Sequence, residues 1–151
     1  MTKQLFCSFH LGRLLMGVHV LEVQEVIRFQ PMQRVPHAPP IVRGLINLRG
    51  QIVTVLDLRM RLGLPPSTSR DAPMNIVLKG DGATVSLLVD RVGDILELDD
   101  AQSEPPPETL RGKAKELVQS VYKLDSSLML VLDIQKAIDI HIQALPAISN
   151  L

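Results

Sequence analysis

With 151 residues, 46% of them hydrophobic, the chain is long enough to bury a core without covalent staples, and its one cysteine, Cys7, excludes an internal disulfide. A formal net charge of zero argues against a dedicated nucleic-acid binder. No stretch approaches the roughly 18 apolar residues of a membrane span. Residues 1–5 lack the basic and apolar regions of a signal peptide, so a cytoplasmic protein is expected. The zero charge hides a split. Residues 1–70 hold nine Lys/Arg and three Asp/Glu, whereas residues 71–151 hold seven and thirteen. Such a split steers association with protein partners unless the fold interleaves the halves and mixes the charges.

Leu5, Cys7, Phe9 and Leu11 alternate with Phe6, Ser8 and His10, which predicts a strand. Met16, Val18 and Val20 predict a second, with Gly12-Arg13 turning between them. Residues 21–27 are ambiguous, because Val23, Val26 and Ile27 also fit one helical face. Pro31, Pro36, Pro39 and Pro40 mark an irregular connector. A strand over residues 44–48 runs into the turn formers Asn47 and Gly50 around Leu48-Arg49. Residues 52–58 read as a strand buried on both faces. A loop follows at residues 65–69. Strands over 74–78 and 83–89 are joined by the hairpin signal Lys79-Gly80-Asp81-Gly82. Another strand is predicted over 92–98, then a proline-rich extended segment at 104–108. A last hairpin joins 117–124 to 128–132. From Asp133 the period changes: Ile134, Ala137, Ile138, Ile142 and Leu145 share one helical face, and Pro146 ends it. The expected fold class is mainly β, a barrel or sandwich of short strands with a C-terminal amphipathic helix.

Catalytic chemistry finds little support. Cys7 shares its face with Leu5, Phe9 and Leu11 and reads as a small buried hydrophobe. His10, His19, His37 and His141 stand at no metal-ligand spacing, and Gly80-Asp81-Gly82 is too short for a phosphate loop. Asp99-Asp100 reads as a solvated turn. Asp57, Asp90 and Asp133 each end an apolar strand, where an aspartate caps a turn or a helix start. No catalytic residue, cofactor or metal is therefore expected. Binding chemistry remains. Glu25 lies among Val23, Gln24 and Val26, and Arg49 sits at a tight turn between apolar strands. Each is a charge that either meets water or needs a partner, and pairing the two is the economical reading.

These residues resemble the chemotaxis coupling proteins, the CheW-like family. The matching segments run in order: Val18-His19-Val20, Val23-Gln24-Glu25-Val26, Gly44-Leu45-Ile46-Asn47-Leu48-Arg49-Gly50, Ile52-Val53-Thr54-Val55-Leu56-Asp57-Leu58-Arg59, Val89-Asp90-Arg91-Val92 and Leu128-Met129-Leu130-Val131-Leu132-Asp133-Ile134. They cover residues 5–140 of a single domain spanning 1–151. The resemblance implies two five-stranded SH3-like barrel subdomains packed side by side. It further implies a non-catalytic adaptor joining the cytoplasmic tip of a methyl-accepting chemoreceptor to the regulatory domain of a CheA-type histidine kinase. Such an adaptor is monomeric alone, assembles in arrays, and is peripheral to membrane-anchored receptors without inserting in the bilayer. The related alternative is a scaffold with another output, twitching motility or second-messenger synthesis; a remote one is a small-molecule sensor using the inter-barrel groove. By position, the resemblance marks Val23, Glu25, Val26, Asn47, Arg49, Gly50, Met74, Ser86 and Val92 for receptor or kinase binding, with Glu25 and Arg49 as a structural ion pair. Thr54 stands where the family often has proline, Met16 where an aromatic is common, and Ser120 where glycine is frequent.

Overall fold

The structure, a computed structural model, describes residues 2–80 and 84–140. Its elements in chain order are β1 (Lys3–Leu11), β2 (Leu14–His19), β3 (Val23–Arg28), β4 (Val42–Leu48), β5 (Gln51–Asp57), α1 (Leu58–Arg61), β6 (Met74–Leu78), β7 (Thr84–Val89), β8 (Arg91–Asp99), β9 (Ser103–Glu104), α2 (Gly112–Leu117), β10 (Val118–Lys123), β11 (Leu128–Leu132) and α3 (Ile134–Ile138). Single 3-10 turns occupy Val20–Glu22 and Asp100–Gln102. The strands make two sheets, ordered β8-β1-β2-β11-β10-β9 and β3-β6-β7-β5-β4. We call them the outer and the nested sheet, because the second is built wholly from chain lying between β2 and β8.

Both sheets curl until their edges meet. In the nested sheet the edges are β3 and β4, yet Gln33, just after β3, exchanges backbone hydrogen bonds of 2.8 Å in both directions with Leu45 of β4. In the outer sheet the edges β8 and β9 are successive segments separated only by the turn Asp100–Gln102. The six strands thus amount to five ribbons, one of them bent, in an SH3-like arrangement.

Three apolar clusters follow. Phe6, Tyr122, Met129 and Val131 fill the inside of the outer sheet. Ile46, Leu48, Val53, Val55, Val77 and Leu88 fill the inside of the nested one. The largest cluster lies between the sheets and draws on both, with Phe9, Met16 and Leu130 from one and Leu56, Ile76 and Leu87 from the other. Central strands therefore bury both faces. This is why the run from Val53 to Leu56 shows no polar alternation and why Phe6 and Cys7, adjacent in sequence, are both buried.

The nested topology also preserves the charge split. Residues 23–89 carry eight Lys/Arg and four Asp/Glu, whereas the remainder carries eight and twelve. The segment that forms the nested sheet is therefore net positive and the rest of the chain net negative, a smaller imbalance than the one between the two halves of the sequence.

Several local expectations are revised. Residues 21–27 are a 3-10 turn and then a strand, because β3 gains a full ladder with β6 that no isolated helical turn could match. Leu58 opens α1 instead of ending β5. Asp57 accepts a hydrogen bond from the Met60 N–H at 3.1 Å, and Asp133 does the same for Lys136, so both are helix caps as expected. Among the described residues α3 is only five residues long, since Asp139 leaves helical geometry (ψ 84°). Ile142, Leu145 and Pro146 of the expected longer helix, His141, and Asp81 and Gly82 of the expected hairpin lie outside the described residues.

Closure of the nested sheet rests on Gly44. A Cβ there would sit 2.7 Å from the Gln33 carbonyl oxygen and 2.9 Å from Met32 Cβ. Gly44→Ala is therefore expected to cost about 2–3 kcal/mol. Urea unfolding would show the lowered midpoint, and hydrogen exchange would show protection lost first at Gln33 and Leu45. Wild-type exchange at those two amides would count against this account of closure.

Candidate functional site

The turn joining β4 to β5 is centred on Arg49-Gly50, one residue later than the sequence pattern implies. Leu48 pairs with Gln51, and both intervening residues have positive φ, 53° and 85°. Two-residue hairpins with that backbone match the strand twist, and glycine at the second position adopts it without strain. Asn47 holds the turn from beneath, its Oδ1 accepting the Gly50 N–H at 2.8 Å. The turn thrusts the Arg49 side chain outward to the far edge of the curled sheet, where its Nη2 donates to Glu25 Oε2 of β3.

Edge strands of a flat five-stranded sheet would stand about 19 Å apart, four spacings of ~4.8 Å. Contact between Glu25 and Arg49 is therefore a product of curling, and it laces the two edges together. Glu25 is the better covered of the two, 26% exposed against 66% for Arg49. The Arg49 hydrogen bond, helped by Gln24, holds the Glu25 carboxyl below its ordinary range despite partial desolvation. The expected ion pair is present.

A register shift between Val23 and Glu25 decides where their neighbours point. Two residues apart in a regular strand, they would share a face. The bulge instead turns Val23, opposite Leu78, toward the inter-sheet cluster and Glu25, opposite Val77, toward the inside of the nested sheet. Val26, opposite Ile76, returns to the inter-sheet face but stays exposed. On the other sheet Leu5 and Ile95 are exposed on the face of β1 and β8 that Cys7 shares, the same inter-sheet face. Leu21, in the turn that crosses from one sheet to the other, is 83% exposed. Exposed apolar side chains thus lie on the inter-sheet face of each sheet, the apolar margin of the inter-sheet core, with the Glu25–Arg49 pair on the nested sheet.

The remaining marked residues are placed apart. Met74 and Val92 pack against the inter-sheet core near the other end of the β3–β6 and β1–β8 ladders. Ser86 is 0% exposed and donates to Asn75 Oδ1 at 2.9 Å, so it reaches a partner only by shaping the sheet.

One pairing escaped the sequence reading. Asp90 caps a turn, the one between β1 and β2, as an aspartate at a strand end is expected to, and it has a second partner. Its carboxylate takes Arg59 in a fork, Nε at 2.9 Å and Nη2 at 2.5 Å, and also accepts the Gly12 N–H at 2.6 Å. Arg59 and Asp90 are each 16% exposed. The fork holds the Asp90 carboxyl below its ordinary range and raises Arg59. Arg59 and Asp90 each follow an apolar strand, but nothing local in the sequence pairs them; the parallel pairing of β5 with β7 aligns those strand ends. Beside this pair lies a cleft of about 290 Å³ lined also by Arg43, Asp57 and Asp71. Asp57 is engaged there by Arg43 at 3.1 Å. Among the described residues no group of three His, Cys, Asp or Glu is placed to hold a metal ion. Cys7 is buried and burial pushes its thiol up, the opposite of an activated nucleophile. The arrangement is built to hold surfaces.

Comparison with known proteins agrees with this geometry. A family model described as the CheW-like domain matches residues 5–141. The chain is 31% identical over 142 residues to the chemotaxis protein CheW of Klebsiella aerogenes, covering 94% of this chain and 86% of that one. It is 28% identical over 133 residues to the CheW of Treponema pallidum, covering 85% and 78%. Its fold matches the crystal structure of the scaffolding protein TtCheW from Thermoanaerobacter tengcongensis with a TM-score of 0.82 at 26% identity, over 93% of this chain and 95% of that one.

Proposed function

The chain belongs to the CheW-like family of non-catalytic chemotaxis scaffolds, and on that premise we propose that it couples the cytoplasmic tip of a chemoreceptor to the regulatory domain of a CheA-type histidine kinase. The observation that carries this reading is the apolar margin of the inter-sheet core beside the Glu25–Arg49 pair. A receptor tip of this kind is a helical hairpin, and an amphipathic helix docks by laying its apolar face on such a surface while a few fixed charges set its register. Val23 and Val26 with Leu5, Leu21 and Ile95 supply the apolar part. Arg49 and Glu25 supply the charges and brace the curl of the sheet that presents Val23 and Val26. Asn47 and Gly50 act through the turn geometry that aims Arg49. Coupled to receptors in this way, the protein works at the membrane surface; no helix among its described residues is long and apolar enough to cross a bilayer.

The test is a charge exchange read by binding to a purified receptor cytoplasmic fragment. Arg49→Glu and Glu25→Arg are each expected to weaken binding by at least about tenfold. The double exchange should recover most of that loss, because the brace is restored with reversed polarity. Circular dichroism should stay unchanged throughout, since an exposed pair contributes little to stability. Single variants that bind like wild type would sink the proposal. A double exchange as weak as the singles would show that Arg49 recognises the receptor directly and is no brace.

A further inference from the structure

The receptor-docking reading assigns no role to α1, yet the two arginines of this four-residue helix, which follows β5 of the nested sheet, reach Asp90 at the junction of β7 with β8 and the end of α3. Arg59 reaches the turn between β1 and β2 through Asp90, whose second bond is to the Gly12 N–H. Gly12 has φ +59°, and a Cβ on it would lie 3.2 Å from Arg59 Nη2, so the turn approaches the guanidinium as closely as a glycine allows. The third donor of Arg59, Nη1, is spent on the Pro65 carbonyl at 2.7 Å. Two residues on, Arg61 reaches a different part of the outer sheet's chain. Its Nε donates to the Ala137 carbonyl at 3.0 Å and its Nη2 to the Lys136 carbonyl at 2.9 Å, where it joins the Asp139 N–H that caps the C-terminus of α3. Two guanidinium groups of one short helix thus hold the β1–β2 turn and the end of α3.

The inter-sheet core provides cohesion without direction. Contacts among Val, Leu and Ile are roughly proportional to area and change little if one sheet slides or rotates slightly over the other. Bidentate guanidinium bonds are directional and fix an angle. The apolar margin has one wall on each sheet, so its shape depends on the angle between them.

We propose that Arg59 and Arg61 are positioning residues for partner docking, acting at the far side of α1 by fixing the angle between the sheets. The inference rests on the receptor-docking reading for its functional consequence and on the geometry alone for its structural one, and the two are tested separately. Spin labels at Arg28→Cys on β3 and Asp94→Cys on β8, both exposed, report the inter-sheet distance; the buried Cys7 is left in place. The wild-type pattern should give one narrow distance distribution. Arg59→Lys keeps the charge but not the fork, and Arg61→Gln removes the guanidinium that bonds the end of α3. Each should broaden or shift the distribution and weaken binding of a receptor cytoplasmic fragment about fivefold or more, while hydrogen exchange within β5, β6 and β7 stays as in wild type. That preserved exchange separates positioning from simple destabilisation. An unchanged distribution in both variants overturns the proposal, and so does a loss of binding at unchanged distance. If the wild-type protein fails to bind the fragment at all, the docking reading falls, and the distance measurement still decides the role of α1.

Discussion

Truncating Phe9 to alanine is expected to lower the free energy of unfolding by about 3–5 kcal/mol, and to do so for both sheets at once. Phe9 is fully buried on β1, on the face of the cluster that both sheets share. It belongs to the cluster that both sheets build, so the cavity left behind loosens a shared core and not one sheet's interior. Against a total stability of about 5–15 kcal/mol, such a loss approaches the whole margin of a weakly stable protein. Urea unfolding followed by far-UV circular dichroism is the suitable measurement, because the chain has no tryptophan. Tyr122, packed against Phe6 inside the outer sheet, gives an independent probe of that sheet alone. Coincident transitions at a lowered midpoint are expected from both probes. A Tyr122 signal that moves alone would mean that the two sheets are stabilised separately.

Asp90→Ala is the second large effect, about 2–3 kcal/mol, between the values for surface and buried ion pairs. Removing the carboxylate strips Arg59 of its fork in a site only 16% exposed, and leaves the Gly12 N–H without its acceptor. The effect depends on pH in a defined direction. Arg59 holds the Asp90 carboxyl below its ordinary value, so the folded state favours the ionised form. The charged part of the Asp90 contribution is complete above about pH 4, the range of a free aspartate, and fades as the pH falls through the lower folded value. Stability curves of wild type and Asp90→Ala should therefore run parallel at neutral pH and converge below about pH 4. A gap that stays constant into strong acid would assign the loss to packing and not to the ion pair.

Much of the fold is legible in the chain because strand periodicity survives wherever one face is solvated, as in β8, and because apolar runs without alternation mark strands buried twice, as in β5. The turn formers Gly12 and Gly50 are legible too, each sitting where positive φ is needed. The helix α2 is not, since Gly112, Lys113 and Lys115 present no apolar stripe and only Leu117 is buried. β9, two residues long, has no period to read. At the site, the opposite charges of Glu25 and Arg49 amid apolar neighbours were enough to suggest their pairing. The outward swing of Val26 was not, because it depends on a one-residue bulge that leaves the composition of β3 unchanged. Arg59 and Asp90 were hidden for another reason: their meeting is a property of sheet order, and no local pattern encodes which strand ends lie side by side.

The nesting of one sheet within the chain of the other has a consequence for biosynthesis. β2 pairs with β11 in parallel, Leu15 against Met129, and so waits for a partner about a hundred residues downstream. At synthesis rates of about 5–20 residues per second, the first hairpin leaves the ribosome roughly 5–20 s before that partner is made. The nested sheet is contiguous in sequence and its own partners arrive early, so it offers the nascent hairpin an apolar face to rest on, the same face that later becomes the shared core. Vectorial delivery thus assigns β3 to β7 the role of an internal template, and the final ribbon is closed by β11, the last strand among the described residues.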